Sequence, residues 1–529
     1  MDPESALIRF LRRLLLLPLL LAAIALGVQP ATAGTPRDGL GRALARGEID
    51  GAQHALYRAL ALFRPAQVER RFGPVAKAGS RDATHVLLRL SRNLSRLEGA
   101  ERSLAQRLLA RPTDRRDPVI RYGVPARYRC NRVVCVFWVT RTRNAPPLRD
   151  RRPRNGIPDQ VDLTLATFTK VYSTEVGQYG FSRPLSDRRV RSHGPNAKPD
   201  VYLADVGSRG FYGFCRPDRQ TRTSPGHCVV DDDFSVRQFP TGASGKPALQ
   251  VTAAHEFLHL VQFGYDAWED FWFFESTAVW MEDEVYPLVN DNIQYLPVGP
   301  LSSTFFWLPI DIFQPDPSQV GAGNEYGTWV IWRYLSERLG RDVVRDAWNI
   351  ARGGPYGIQA LEAMLATRGQ GWADTFHQFA IANYFFRTSY SEAALYATVP
   401  GVGPQPQPLA VPFTGSIPMG HLSNDYYLFT PPGGDPALNL TVTMSGPETN
   451  PRASAVVLRA TGNDPPVSLT SGVPTPLPFD STVTGVLLVL SNGSTRFAAC
   501  DTAQATPFYS CFGAPVDDNV SFAVTATSP

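Results

Sequence analysis

Five residues limit the architecture of this chain more than its composition does: His255-Glu256-Phe257-Leu258-His259. Two histidines four apart face the same way only on an α-helix, where residues i and i+4 stack on one face. No Pro or Gly interrupts Gln250 to Phe263, so the spacing predicts a helix starting near Gln250 with both imidazoles close enough to share a metal ion. Glu256 stands between them, where an H-E-x-x-H helix carries the carboxylate that activates water. Imidazole nitrogens suit Zn²⁺, and a catalytic zinc site needs three protein ligands with one position open. A third ligand must therefore come from elsewhere. Phe257, Leu258, Leu260 and Val261 make the helix apolar around the motif, as expected of a buried element.

A second helix is predicted soon after, over Trp272-Phe273-Phe274-Glu275-Ser276-Thr277-Ala278-Val279-Trp280-Met281-Glu282-Asp283-Glu284, with Glu275 set in its apolar part after 15 intervening residues (260–274). A lone buried carboxylate is costly unless it is paired or binds a metal. This arrangement resembles the gluzincin branch of zinc peptidases, and most closely secreted bacterial zincin families of the hyicolysin-like kind. The resemblance implies that Glu275 is the third ligand beside His255 and His259, and that Glu256 is the general base. Asn155-Gly156-Ile157-Pro158-Asp159, Asp200-Val201-Tyr202-Leu203-Ala204-Asp205 and Tyr326-Gly327-Thr328-Trp329 look like further features of those families and extend the likeness over residues 118 to 390. A metzincin would need Gly at 262 and His at 265, where this chain has Gln262 and Tyr265. Glu282 lies two turns beyond Glu275 on the same face. It is either a partner for a ligating histidine or, the reading we prefer from sequence, a solvated charge at the helix end. Stabilising a tetrahedral oxyanion calls for one more electrophile; Tyr326 is the first choice, with Tyr286 and His377 as alternatives. His377 also reads as a packed histidine in an apolar helix.

The rest of the chain supplies context. Arg9, Arg12 and Arg13, the apolar run Leu14–Val28 and Ala31-Thr32-Ala33 read as a secretory signal cleaved after Ala33. At 15 residues the apolar run is short for a bilayer span of about 20, so no membrane span is expected after its removal. Residues 34–117 have apolar residues at helical intervals, such as Leu87, Leu90, Leu94 and Leu97, and serve equally as a pro-segment or an ordinary helical subdomain. The segment has no cysteine, so a thiolate cannot block the zinc from it. Residues 118–400 mix helix and strand patterns. Val133–Val139, Asp200–Ala204, Phe211–Cys215 and Cys228–Asp231 read as strands, the last two as a hairpin able to pair with an extended peptide. Helices are expected over Val161–Gly177, Tyr326–Arg338, Arg341–Arg352 and Gly371–Phe386. A Pro/Gly linker, Gly401–Pro408, leads into short β-type runs, so 401–529 reads as a β-sandwich. The expected fold class is α+β: a zincin-like metallopeptidase domain with an N-terminal helical segment and a C-terminal β-sandwich.

Six cysteines fall in three close pairs, 130 with 135, 215 with 228 and 500 with 511, which in an exported chain favours local disulfides over a metal cluster. The net charge of +4 is small for 529 residues, and the Arg-rich run 149–154 reads as a solvated loop, so no nucleic-acid partner is expected. Asn155, Gly156, Asp159 and Asp162 have a fragmentary likeness to a Ca²⁺ loop, but Arg151 and Pro153 stand where carboxylates are needed; a tight turn is the main reading. The function expected is hydrolysis of polypeptide substrates outside the cytoplasm. The alternatives are an inactive zincin-fold binding protein, against which the intact Glu256 speaks, and a zinc amidase with a non-protein substrate.

Overall fold

A computed structural model describes residues 38–79, 81–190, 193–431, 437–446, 450–501 and 507–528. The expected signal segment, residues 1–33, lies outside them.

Helical periodicity near the N-terminus becomes five helices: α1 (Gly39–Ala45), α2 (Gly51–Phe63), α3 (Pro65–Phe72), α4 (Ala83–Asn93) and α5 (Gly99–Leu108). Helix α2 starts where Asp50 accepts from the Gln53 backbone N–H at 2.8 Å and the Gln53 side chain bonds back to the Asp50 N–H at 3.1 Å, a reciprocal cap that satisfies two otherwise unpaired donors.

A five-stranded mixed sheet follows, from β1 (Arg127–Cys130), β2 (Cys135–Trp138), β3 (Asp200–Ala204), β4 (Gly213–Pro217) and β5 (Gly226–Asp231), in the order β1-β2-β3-β5-β4. Strands β2, β3 and β5 run parallel, and β4 turns back antiparallel to form one edge. The alternation of a strand sorts its side chains. Val136, Trp138, Val201, Leu203 and Val230 enter one core, while Phe137, Tyr202, Ala204, Phe214 and Val229 enter another. The second core is closed by α1–α5, with Leu56, Leu60, Leu87 and Leu90. The first is closed by α6 (Asp159–Tyr172), α7 (Gly245–Asp266) and α8 (Phe271–Val285). Burial on both faces explains why β2, β3 and β5 are nearly continuous apolar runs.

Helix α7 begins at Gly245, five residues before the start expected from sequence. Behind α8 lie α9 (Trp329–Leu339), α10 (Val343–Ala351), α11 (Gly357–Thr367) and α12 (Trp372–Tyr384). Helix α11 has no counterpart among the sequence-based expectations, although Ile358, Leu361 and Leu365 carry a helical apolar period.

Two mainly antiparallel sheets follow, of six and four strands. They share a core including Tyr427, Leu440, Val457, Leu488 and Phe522. The outer face of the larger sheet packs Tyr426, Leu487 and Val489 against Ala380 and Ile381 of α12. The presumed linker is docked: Gly403 N–H donates to Leu301 O at 2.8 Å, and Gln407–Leu409 pairs with Tyr427–Phe429 as a strand. All three cysteine pairs form disulfides, 130–135, 215–228 and 500–511. The chain is thus a mixed α+β protein with several sheets. Among the described residues no helix is long and apolar enough to cross a membrane.

His421 ties the β-rich part to the middle of the chain, with Nε2 3.0 Å from Asp311 and Nδ1 3.5 Å from Asp518. Burial opposes its charge, but the Asp311 carboxylate, then Asp518, outweighs it and lifts the imidazole to about 9. A raised folded-state pKa stabilises fully below the unfolded value of about 6.5 and fades as pH rises through the folded one. Stability is therefore expected to fall between about pH 6.5 and 9, by on the order of 3 kcal/mol from this group. Thermal melting across that range checks it, and His421→Gln should flatten the decline; an equal decline in the variant refutes the assignment.

Candidate metal centre

Helix α7 runs through the interior, with His255, Glu256 and His259 between 0% and 1% exposed. Phe257, Leu258, Leu260 and Val261 are as deeply buried, each contributing about 1.5–3 kcal/mol of transfer free energy. The two imidazoles lie side by side, ring centroids 4.6 Å apart. Beyond His259 the chain runs seven residues to the end of α7, turns through Ala267–Asp270, and climbs α8 for five residues to Glu275. At about 1.5 Å rise per residue the descent and return nearly cancel. That brings Glu275 level with the histidines and accounts for the short interval in sequence. Its Oε2 is 3.1 Å from His255 Nε2 and 3.7 Å from His259 Nε2.

The remaining ring nitrogens are tied back. His255 Nδ1 lies 2.8 Å from Glu282 Oε1, and His259 Nδ1 lies 2.6 Å from Gln262 Oε1. A carboxylate and an amide oxygen only accept, so both Nδ1 atoms carry a hydrogen, and both Nε2 atoms turn toward Glu275. Gln262 is held in turn by donating to Phe274 O and Thr277 Oγ1, each at 3.0 Å. Trp332 donates to Ser276 Oγ at 2.9 Å and Trp348 to Thr277 Oγ1 at 3.2 Å, pinning α8 from behind.

His259 Nε2 and Glu275 Oε1 are buried without a hydrogen-bond partner. Such orphans cost about 1–3 kcal/mol each. Their nitrogens and carboxylate, with His255, converge within 4.8 Å of one another. An N,N,O donor set with oriented imidazoles fits a divalent zinc-like ion. Burial pushes Glu275 up, but His259, His255 and His85 outweigh it and hold the carboxylate well below its usual range. Two other groupings also converge, Cys215/Cys228/Glu256 and Asp205/Asp231/Asp232. The first cannot supply thiolates, because its cysteines form a disulfide.

A carboxylate oxygen of Glu256 lies within 4.8 Å of the sulfurs of Cys215 in edge strand β4 and Cys228 in β5. Glu256 Oε2 accepts from the Thr84 hydroxyl at 3.1 Å. Burial raises its pKa, against the fields of His259 and His255.

Glu282 corrects the sequence reading: it is 1% exposed, bonded to His255 and 3.5 Å from the Arg81 guanidinium, with no solvated helix-end role. Tyr326 stands beside the centre, its hydroxyl 3.3 Å from His85 Nδ1 and 3.2 Å from Asp82. Gly327, next to it, lets this turn pack directly on the backbone of 295–299: a Cβ there would lie 2.5 Å from the Gly299 nitrogen and 2.7 Å from Tyr295 O. Tyr286 ends α8, in the field of Glu175. His377 bridges Ser491 and Ser454 at 2.8 Å each, between α12 and the larger C-terminal sheet. The fragmentary calcium loop turns its oxygens on its own backbone: Asp159 accepts from Arg151 and Arg152 N–H, and Asp150 from Asn155 and Gly156 N–H.

Sequence reasoning left out Gln262, although its position three residues after His259 signals a same-face partner. It also left out Arg81, Thr84 and His85, which reach the centre from more than 150 residues upstream and have no local signal. His85 Nδ1 is 3.7 Å from Glu275 Oε1. Compared with known proteins, the chain matches no family model and no curated protein.

Proposed function

We propose that this chain is a secreted zinc-dependent endopeptidase of the gluzincin-like kind, with a zincin-like domain built around α7 and α8. The observation that carries the reading is the convergence of His255, His259 and Glu275, with unpaired ligand atoms, beside a Glu256 that ligates nothing. A purely structural zinc site has no use for such a carboxylate. The three disulfides agree with an oxidising destination.

In this reading His255, His259 and Glu275 hold Zn²⁺, and the bound ion supplies a Lewis acid that polarises the scissile carbonyl and makes water nucleophilic at neutral pH. Glu256 takes the proton of the attacking water and hands it to the leaving amine. Glu282 and Gln262 fix the imidazoles, so no reorganisation is needed as charge develops. Tyr326, its hydroxyl 3.3 Å from His85 Nδ1, is the phenol assigned to donate to an oxyanion. The antiparallel edge strand β4 runs beside Glu256 and suits main-chain pairing with an extended peptide.

Zinc content by elemental analysis, together with casein hydrolysis before and after limited proteolysis of the purified chain, tests the proposal. About one zinc per chain is expected, with hydrolysis abolished by a chelator and restored by zinc. A chain that binds no zinc when supplied with it overturns the proposal and favours a binding protein.

A further inference from the structure

We infer that the N-terminal helical segment is an internal inhibitor, with α4 and the turn before it inserted in the active site as a plug. The inference rests on the proposed peptidase reading and adds its regulation. Its starting point is access. Attack on a peptide bond requires the carbonyl to come within about 3–3.5 Å of the reacting groups. Yet His255, Glu256, His259 and Glu275 are all 0–1% exposed. What buries them from the β4 side is this segment.

Each carboxylate of the centre has a partner from the plug. Thr84 Oγ1 donates to Glu256 Oε2 at 3.1 Å. His85 Nδ1 stands 3.7 Å from Glu275 Oε1, and Arg81 stands 3.5 Å from Glu282, the carboxylate that orients His255. The Thr84 hydroxyl also accepts the Cys215 N–H at 2.9 Å. That N–H belongs to edge strand β4, so α4 occupies both the base and a main-chain donor that an extended substrate would use. Tyr326 is engaged in the same way, bonded to His85 and Asp82. A cavity of about 1340 Å³ is walled by Arg81, Asp82 and His85 together with Arg58 and Phe63 of α2 on one side and Tyr326 on the other, so space already lies between the segment and the rest of the chain.

The plug is clamped at both ends. Arg81 bonds Asp291 at 2.7 Å and Tyr295 at 2.9 Å. Arg92 caps the α7–α8 turn by donating to Ala267 O at 3.0 Å and Glu269 O at 2.6 Å. Farther along, Arg111 is buried among Asp187, Asp200 and Asp218. Just beyond it, Arg115 and Arg116 are exposed in a turn, a site open to a trypsin-like protease at the end of the segment.

The test uses the full chain loaded with zinc, and a peptide hydroxamate as active-site probe. Thr84→Asp, which sets a second carboxylate against Glu256, is combined with His85→Ala. Zinc per chain should stay at the wild-type value, while hydroxamate affinity and hydrolysis of a fluorogenic peptide rise roughly tenfold or more, since the competent fraction sets the apparent affinity. Hydroxamate binding no tighter than wild type at equal zinc content, or slower hydrolysis, would overturn the inhibitor and make α4 part of the working site. Should the double variant fail to fold, trypsin nicking of the wild-type chain replaces it. Hydrolysis should climb as residues 38–116 are lost from the intact band; activity highest before any cut overturns the plug. Absence of zinc from every form refutes the peptidase reading itself, and elemental analysis registers that separately.

Discussion

Glu256→Gln is expected to keep its zinc and to hydrolyse peptides roughly 10²–10⁴-fold more slowly, the range for loss of a positioned general base. The substitution keeps the shape of the side chain, so the Thr84 hydroxyl still has an oxygen to donate to. It removes no ligand, because the three converging ligand atoms belong to His255, His259 and Glu275. What it removes is the capacity to accept a proton from water. Assays on the trypsin-nicked chain separate this effect from inhibition by the plug, and zinc content is measured on the same preparation. A variant that loses zinc and activity together would place Glu256 among the ligands; unchanged hydrolysis would deny it the role of base.

His259→Ala is expected to weaken zinc binding by roughly 10²–10⁴-fold, since about 10–16 kcal/mol of apparent zinc affinity is shared among three or four protein ligands. The loss has a second source in the structure. Gln262, held by Phe274 O and Thr277, would lose the imidazole N–H that it orients. Glu282→Gln should cost less, about 10–100-fold, because it alters only how His255 is held. Competition with a chromogenic chelator measures both. The order matters as much as the values: a larger effect at Glu282 than at His259 would contradict the ligand assignment.

The parts legible from sequence are those whose cause is local. His255 and His259 share a face because a helix repeats every 3.6 residues, and Cys215 and Cys228 stand directly opposite each other across a hairpin of strands close in sequence. The helix start at Gly245 was not legible, because Gly245 and Pro247 disguise the first turn. Glu282 was misjudged for a different reason. Its place near the end of α8 suggests solvent, but Arg81 from the turn before α4 covers it and Arg333 of α9 packs on Asp283 beside it, so that end is an interior. Thr84 and His85 lay beyond reach altogether. Nothing in a helix of ordinary amphipathic pattern announces that two of its side chains meet a base and a ligand some 170 to 190 positions later (256 − 84 and 275 − 85).

The five-stranded sheet is covered on one face by α1–α5, the part of the chain that leaves the ribosome before any of its strands. Those helices and the sheet share one core, so the sheet face lined by Phe137, Tyr202 and Val229 is buried only when the helices pack on it. The cover is made before the strands it covers. On the proposed reading, the centre and its cover fold as one unit, and only removal of the cover separates them.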